Sequence, residues 1–145
     1  MNKRNSAINS GGAVFITSAT TQLKGYARSS SAGKDGVAYS IFTSTVIFEG
    51  KVDYAENNAE NFDGGVDVKS KSLHLFVNTV IFTGNRAGYS GGSISANDGS
   101  NITFNFFQQF RYGRAYKADW AGGAVAIRYA SRLNMTEATV RDNLA

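Results

Sequence analysis

A short sequence mark recurs along this chain at a nearly constant step. The mark is an aromatic or apolar residue, two variable residues, Asn, one variable residue and Ala, and the segment from Phe82 to Ala87 shows it in full. The residues that open the marks lie 28, 28, 28 and 30 positions apart, and they are Tyr26, Tyr54, Phe82, Phe110 and Val140. The Asn position is held by Asn57, Asn85, Gly113 and Asn143. A constant step of this length indicates a stacked-repeat architecture.

Paired glycines form a second mark of the same repeat. They are Gly11, Gly12, Gly64, Gly65, Gly91, Gly92, Gly122 and Gly123. Glycine suits places where the chain turns sharply or passes close to a neighbouring backbone. Because Asn and Gly tolerate positive φ best, the exchange of Asn for Gly113 predicts a left-handed corner at the Asn position. The stretch between a closing Ala and the next glycine pair varies from three residues after Ala87 to six after Ala115, which predicts a loop of variable length on one face.

Between the marks, β-branched and aromatic residues alternate with polar ones in short runs, as in Leu73 to Val77. Each unit has room for about three short strands and none for a helix of normal length. The sequence therefore predicts an all-β fold, a parallel β-helix of about five rungs of roughly 28 residues over residues 11–145, after an N-terminal flank at 1–10. Tyr26, Tyr54, Phe82 and Phe110 should form one vertical file inside it, with Val140 at its end. Two alternatives are a β-sandwich, which needs no fixed step, and an amphipathic helix over residues 131–145.

Composition excludes several kinds of chemistry. The chain has no Cys, which removes disulfides and thiolate sites, and one histidine, His74, so we expect no metal site and no cofactor. Alternation places His74 opposite Leu73 and Leu75, and we expect it on the surface. The carboxylates available for acid–base work or calcium are Asp53, Asp63, Asp67 and Asp98. We expect these to be solvated, outward-facing residues, so the chain is interpreted as a non-enzymatic protein; a carbohydrate-active β-helix is the alternative.

The longest corner insertion is the best candidate for ligand binding. Cationic and aromatic side chains are interleaved there, at Arg111, Tyr112, Arg114, Tyr116, Lys117 and Trp120. Such a surface can stack on sugars or hold an anionic glycan, and loops on a rigid scaffold often carry binding function. The alternative is that these aromatics only cover the corner of the core. The net charge of +4 is spread along the chain with no further basic cluster, so we do not expect nucleic-acid binding. No apolar run approaches the roughly 20 residues that span a bilayer.

The two marks together resemble the repeats of the polymorphic outer membrane protein family. Gly122-Gly123-Ala124-Val125 is similar to that family's GGA(I/L/V) motif, and Phe82 to Asn85 matches its FxxN motif. The resemblance implies a right-handed parallel β-helix on a cell surface or outer membrane, or in the extracellular space, usually as an autotransporter passenger with an adhesive role. Its partners would be proteins or glycans of a host or neighbouring cell. We see neither a signal peptide nor a membrane barrel, and the open ends of a solenoid segment predict self-association.

Overall fold

The structure, a computed structural model, describes residues 2–3, 6–8, 12–23, 27–28, 31–32, 38–61, 64–89, 91–115 and 122–144. Every regular element within these ranges is a β-strand. The strands are β1 Asn2–Lys3, β2 Ser6–Ala7, β3 Val14–Thr17, β4 Thr20–Leu23, β5 Ala27–Arg28, β6 Ser31–Ala32, β7 Tyr39–Phe42, β8 Thr45–Phe48, β9 Val52–Ala55, β10 Asn58–Ala59, β11 Val66–Lys69, β12 Leu73–Phe76, β13 Val80–Thr83, β14 Arg86–Ala87, β15 Ile94–Ala96, β16 Asn101–Arg111, β17 Arg114–Ala115, β18 Val125–Ile127 and β19 Arg132–Arg141.

These strands form three sheets in which successive coils of the chain are stacked. The first sheet has the order β1-β5-β9-β13-β16-β12-β8-β4, with β19 also paired to β16. The second has the order β17-β14-β10-β6-β2, and the third β18-β15-β11-β7-β3. Every strand pairing is parallel, for example β11 with β15 and β12 with β16. The chain is therefore a parallel β-solenoid, and the predicted fold class is confirmed. The five stacked strands of the second and third sheets are separated by about four turns of the chain, and each level of the stack is called a layer below.

The step between layers is constant in the middle of the solenoid and differs at its ends. Phe82 pairs with Tyr54 on one side and with Phe110 on the other, at the step that the sequence marks predict in both directions. Ala27 pairs with Tyr54, which is one residue less than the 28-residue step. Tyr26, which the repeat places at the head of this file, lies outside the described residues. Strands β1 and β2 already pair with β5 and β6, so the stacking includes parts of the segment interpreted as a flank.

One file of aromatic rings runs through the core, as the repeat predicts. Tyr54, Phe82 and Phe110 have no exposed surface, and their ring centroids lie 4.9 Å apart in each successive pair. Val140 pairs with Phe110 and continues the file, but its side chain is 53% exposed because it belongs to the last described layer. A parallel second file joins Phe48, Phe76 and Phe104. Burial of rings of this size contributes about 1.5–3 kcal/mol each.

The middle layers have four short strands each, β7 to β10 and β11 to β14, one more than the sequence predicts, and the last two layers differ from them. In both, the second and third strands of the layer merge into one long strand, β16 and β19, with a shift in register between Phe104 and Phe107. Residues 132–141 are extended, so the helix considered for the end of the chain is wrong over this range. Phe106, at the shift, is 58% exposed.

The glycine pairs lie where neighbouring layers approach most closely. A Cβ built on Gly65 would collide with the backbone oxygen of Ser93 in the next layer, and comparable collisions with backbone arise at Gly64, Gly92 and Gly123. Gly91 and Gly122 have positive φ. Gly12 is buried, and Gly11 lies outside the described residues. Close approach of neighbouring backbones thus explains why most of the described residues in these pairs are glycine.

The left-handed corner is one residue earlier than the Asn–Gly exchange predicts. Positive φ is found at Glu56, Gly84, Tyr112 and Asp142, each directly before the Asn position. Asn57, Asn85, Gly113 and Asn143 are not among the residues with positive φ, so that prediction is wrong. The Asn is needed for its amide, because it is the residue that joins adjacent layers at this corner.

Side chains at two corners join each layer to the one before it, and we call them corner clamps. At the corner between the first and second sheets, Asn85 Oδ1 accepts from the backbone N–H and the Nδ2 of Asn57, at 3.1 and 2.8 Å, and Asn85 Nδ2 donates to the Tyr54 carbonyl at 2.8 Å. The amide side chains of Asn57 and Asn85 therefore form a ladder between layers. Gly113 has no side chain to continue it, and the Gly113 N–H donates to Asn143 Oδ1 at 2.8 Å.

A second set of clamps, made of serine hydroxyls, was not predicted. It lies at the corner between the third and first sheets. The Oγ of Ser72 accepts from the Ser44 N–H, that of Ser100 from the Ser72 N–H, and that of Ser131 from the Ser100 N–H, each at 3.1 Å. Together the two sets satisfy backbone groups where the strands end, so both corners are fixed in position.

Candidate functional site

The candidate binding residues described by the structure lie at the corner between the first and second sheets. Arg111 ends β16, Tyr112 is the left-handed corner residue, and Arg114 begins β17. Tyr112 is 53% exposed and Arg114 is exposed, whereas Arg111 is half-buried. These three residues therefore lie together at one corner, and their role in ligand binding stays a prediction. Tyr116, Lys117 and Trp120 lie outside the described residues.

The structure adds Arg86 to this corner. Arg86 and Arg114 are paired in register on β14 and β17, so their side chains leave the same face on successive layers, about 4.8 Å apart along the stack. Both are exposed. We call Glu56, Asn58, Gly84, Arg86, Tyr112 and Arg114 the arginine corner. The sequence contains a signal for Arg86, because it lies one repeat step before Arg114, but the two become neighbours only through the parallel register.

A depression opens in the arginine corner where a side chain is missing. The left-handed position carries Glu56, then Gly84, then Tyr112 in successive layers. Gly84 has φ of 64°, and a Cβ there would meet no atom closer than Glu56 Cγ at 3.9 Å. The resulting open depression has a volume of about 500 Å³ and is lined by Glu56, Asn58, Gly84 and Arg86. It therefore offers a carboxylate, an amide and a guanidinium, with Tyr112 in the next layer.

Arginine side chains continue along the first sheet beside this corner. Arg141 pairs with Arg111 in the last layer, and its Nε lies 4.0 Å from Asp142 Oδ2, with both side chains about half exposed. With its amide oxygen turned toward Arg111, Gln109 accepts from Nε and Nη2 at 3.2 and 3.1 Å. Gln109 thus holds the Arg111 guanidinium along the strand. Arg141 thus adds a third exposed arginine to Arg86 and Arg114 along the stack.

His74 is in the core, and the expectation that it lies on the surface is wrong. Alternation does separate it from Leu73 and Leu75, but the leucines face outward and the imidazole faces inward. Its ring stacks on Phe48 and Phe76, with centroids at 5.2 and 4.3 Å. Neither ring nitrogen has a hydrogen-bond partner, and burial lowers the pKa of His74 from 6.5 to about 3. A neutral, enclosed imidazole cannot reach a ligand at the surface.

The described carboxylates lie on different parts of the solenoid. Asp53 is half-buried on the first sheet, and Asp98 is exposed at a left-handed corner. Asp67 was expected to be solvated, but it is fully buried on the third sheet, so that expectation is wrong; Asp63 lies outside the described residues. Within the described part of the chain, no three His, Cys, Asp or Glu side chains are grouped so that they could hold a metal ion.

Asp67 is buried by its neighbours on a face that points away from the core. Its Oδ2 lies 2.9 Å from Lys69 Nζ, and its Oδ1 accepts from Ser95 Oγ at 3.5 Å. Lys69 Nζ also lies 5.8 Å from the centre of the Phe42 ring. Ser95 in turn accepts from Asn97 Nδ2 at 2.9 Å. This network joins residues on three layers of the third sheet, which is a structural role.

Comparison with protein-family models, with curated proteins and with solved structures finds no match for this chain. The described residues include no helix that is long and apolar enough to cross a membrane.

Proposed function

We propose that this chain is a non-enzymatic β-helix segment displayed at a cell surface, and that its arginine corner binds acidic glycans of a host or neighbouring cell. The observation that carries the proposal is the depression at Gly84, which lies between layers that present Glu56 and Tyr112 and has Arg86 in its lining. Sugar rings stack on exposed aromatic side chains, and their hydroxyls bond to carboxylate and amide groups. Guanidinium groups pair with carboxylates or sulfates in a two-point geometry.

The repeat of arginines along the stack favours a long ligand over a small one. Arg86 and Arg114 recur at the spacing of the strands, so an acidic polymer lying along the stack would meet a cation at successive layers. The Asn57–Asn85 clamp lies directly beside the depression and holds its backbone in place. A fixed arrangement lowers the entropy lost on binding. A glycan fits this corner better than a protein does, because the described lining residues are Gly84 and three polar side chains and form no apolar anchor pocket.

The test is binding of an acidic oligosaccharide of uronic acid units, measured by titration calorimetry at low salt. We expect Arg86→Ala and Arg114→Ala each to weaken binding by about tenfold, since each removes a charge-assisted hydrogen bond. Tyr112→Ala should weaken binding of acidic and neutral sugars alike. Lys71→Ala is the matched control, because it removes one exposed cation from a different corner. A loss with Lys71→Ala equal to that with Arg86→Ala, or no binding of acidic oligosaccharide at all, would refute the proposal.

A further inference from the structure

Four polar side chains are enclosed together on the outward face of the third sheet. Asp67 on β11 is paired in register with Ser95 on β15. Lys69 and Asn97 follow two residues later on the same face, and the Asn97 N–H continues the pairing by donating to the Val68 carbonyl at 2.9 Å. Asp67 and Ser95 have no exposed surface, Asn97 is 6% exposed and the Lys69 side chain is 17% exposed. A primary amine, a carboxylate, a hydroxyl and a carboxamide therefore share one buried site.

The contacts within this group bring the amine and the carboxamide to the same pair of residues. Lys69 Nζ lies 2.9 Å from Asp67 Oδ2. Asn97 Nδ2 donates to Ser95 Oγ at 2.9 Å, and Ser95 Oγ donates to Asp67 Oδ1 at 3.5 Å. Because neighbouring strands lie about 4.8 Å apart, the flexible end of the Lys69 side chain can cross to Asn97 without any movement of the backbone.

We propose that Lys69 and Asn97 form a covalent isopeptide bond between two layers of the solenoid, with Asp67 as the base. The bond joins β11 to β15, which backbone hydrogen bonds already hold in register. It would keep these two layers together when the chain is pulled or unfolded. The proposal is independent of glycan binding, because this site lies on the third sheet and the arginine corner lies between the first and second sheets.

The reaction balances with the side chains that are present. Asp67 accepts a proton from Lys69 Nζ, and the neutral amine attacks Cγ of Asn97. The bond from Cγ to Nζ forms, and the bond from Cγ to Nδ2 breaks. Two of the three Nζ protons pass to Nδ2 through Asp67 and Ser95, so the nitrogen of the carboxamide leaves as ammonium. Asp67 ends as ionised as it began, and nothing is oxidised or reduced.

The surroundings favour this reaction over the same reaction in water. Loss of hydration raises the free energy of the enclosed Lys69–Asp67 ion pair, so proton transfer to the neutral pair costs less. The amine and the carboxamide are held on adjacent strands, which replaces an encounter in solution by an intramolecular step. Arg128 follows Asn97 in the same position on the next layer, because its N–H donates to the Ala96 carbonyl at 3.0 Å. A guanidinium beside Asn97 stabilises the oxyanion that forms during the attack.

The test is the intact mass of the denatured chain, measured after incubation of the folded protein at pH 7. Formation of the bond should lower the mass by one ammonia. Trypsin should not cleave after Lys69, and the peptides that contain Lys69 and Asn97 should be recovered as one joined product. An unchanged mass would overturn the proposal and leave Lys69 and Asp67 as an ordinary ion pair. A loss of one water in place of ammonia would also overturn it, because the bond would then be on Asp67.

Four variants of the whole chain assign the loss to these residues. Lys69→Arg keeps a cation beside Asp67 but has no primary amine, and Asn97→Ala has no carboxamide, so both should keep the full sequence mass. Asp67→Asn should slow the loss of ammonia by about a hundredfold or more, since it removes the base. Lys71→Arg is the matched control, because it changes an exposed lysine outside the group and should lose ammonia as the parent does. Loss of ammonia in Lys69→Arg, or an unchanged rate in Asp67→Asn, would contradict the proposal.

Discussion

The buried imidazole of His74 makes a quantitative prediction about acid stability. In register, His74 lies between Val46 and Ile102, so an aliphatic residue continues the column, and His74→Ile supplies one. An ordinary unfolded histidine has a pKa of 6.5, and burial lowers the pKa in the folded state to about 3. The unfolded state therefore binds a proton at a higher pH than the folded state does. The stability linked to His74 is complete above pH 6.5, falls as the pH decreases below 6.5, and levels off below about pH 3.

The size of the effect follows from the same values. At pH 5 the folded chain keeps His74 neutral, whereas the unfolded chain is almost fully protonated there, and the difference amounts to about 2 kcal/mol. At pH 8 His74 is unprotonated in both states, so protonation causes no loss of stability there. At that pH, His74→Ile removes two unpaired buried nitrogens, worth about 1–3 kcal/mol, but it also loses two ring contacts of about 0.5–1.5 kcal/mol each. We therefore expect a small stability change at pH 8 and a relative stabilisation about 2 kcal/mol larger at pH 5.

The assay is urea unfolding followed by circular dichroism at both pH values. His74 is the sole histidine, so the variant removes all histidine titration, and the carboxylates titrate in both proteins and cancel in the difference. Leu75→Ile is the control, since it changes the next residue, on the outward face, without removing a titrating group. A difference between His74→Ile and the parent that is the same at pH 8 and pH 5 would refute the reasoning. An imidazole NMR signal of the folded chain that titrates near pH 6.5 would refute it too.

Two further predictions concern the contacts between layers. Gly65→Ala should destabilise the fold by about 3 kcal/mol or more, because the new Cβ collides with the Ser93 backbone. Gly50→Ala is the control, because the space around its Cβ is open, and it should be neutral or stabilising by up to about 1 kcal/mol in the same unfolding assay. Asn85→Ala removes the oxygen that accepts from the buried Asn57 N–H and Nδ2, and should lower the free energy of unfolding by about 2–4 kcal/mol. The same change at the more exposed Asn143 should lower it by about 1 kcal/mol. Equal losses at the two positions would contradict this account.

Several structural features were predictable because they repeat. A constant repeat step requires that equivalent residues stack, and the ring file of Tyr54, Phe82 and Phe110 follows directly. The candidate corner at Arg111, Tyr112 and Arg114 was predicted from its composition. Arg86 was missed because its partner in the corner is far away in sequence and becomes a neighbour only through the parallel register.

Alternation along a strand determines which residues share a face, and that much the sequence alone decides. Which of the two faces turns inward depends on what packs against it, and only the tertiary structure decides that. His74 is enclosed because Val46 and Ile102 stand in its column, and Asp67 is covered although it points away from the core. The clamps have the same origin: a Ser or Asn in the sequence becomes a link between layers only when its hydroxyl or amide meets the backbone of the layer before, a contact that no local pattern contains.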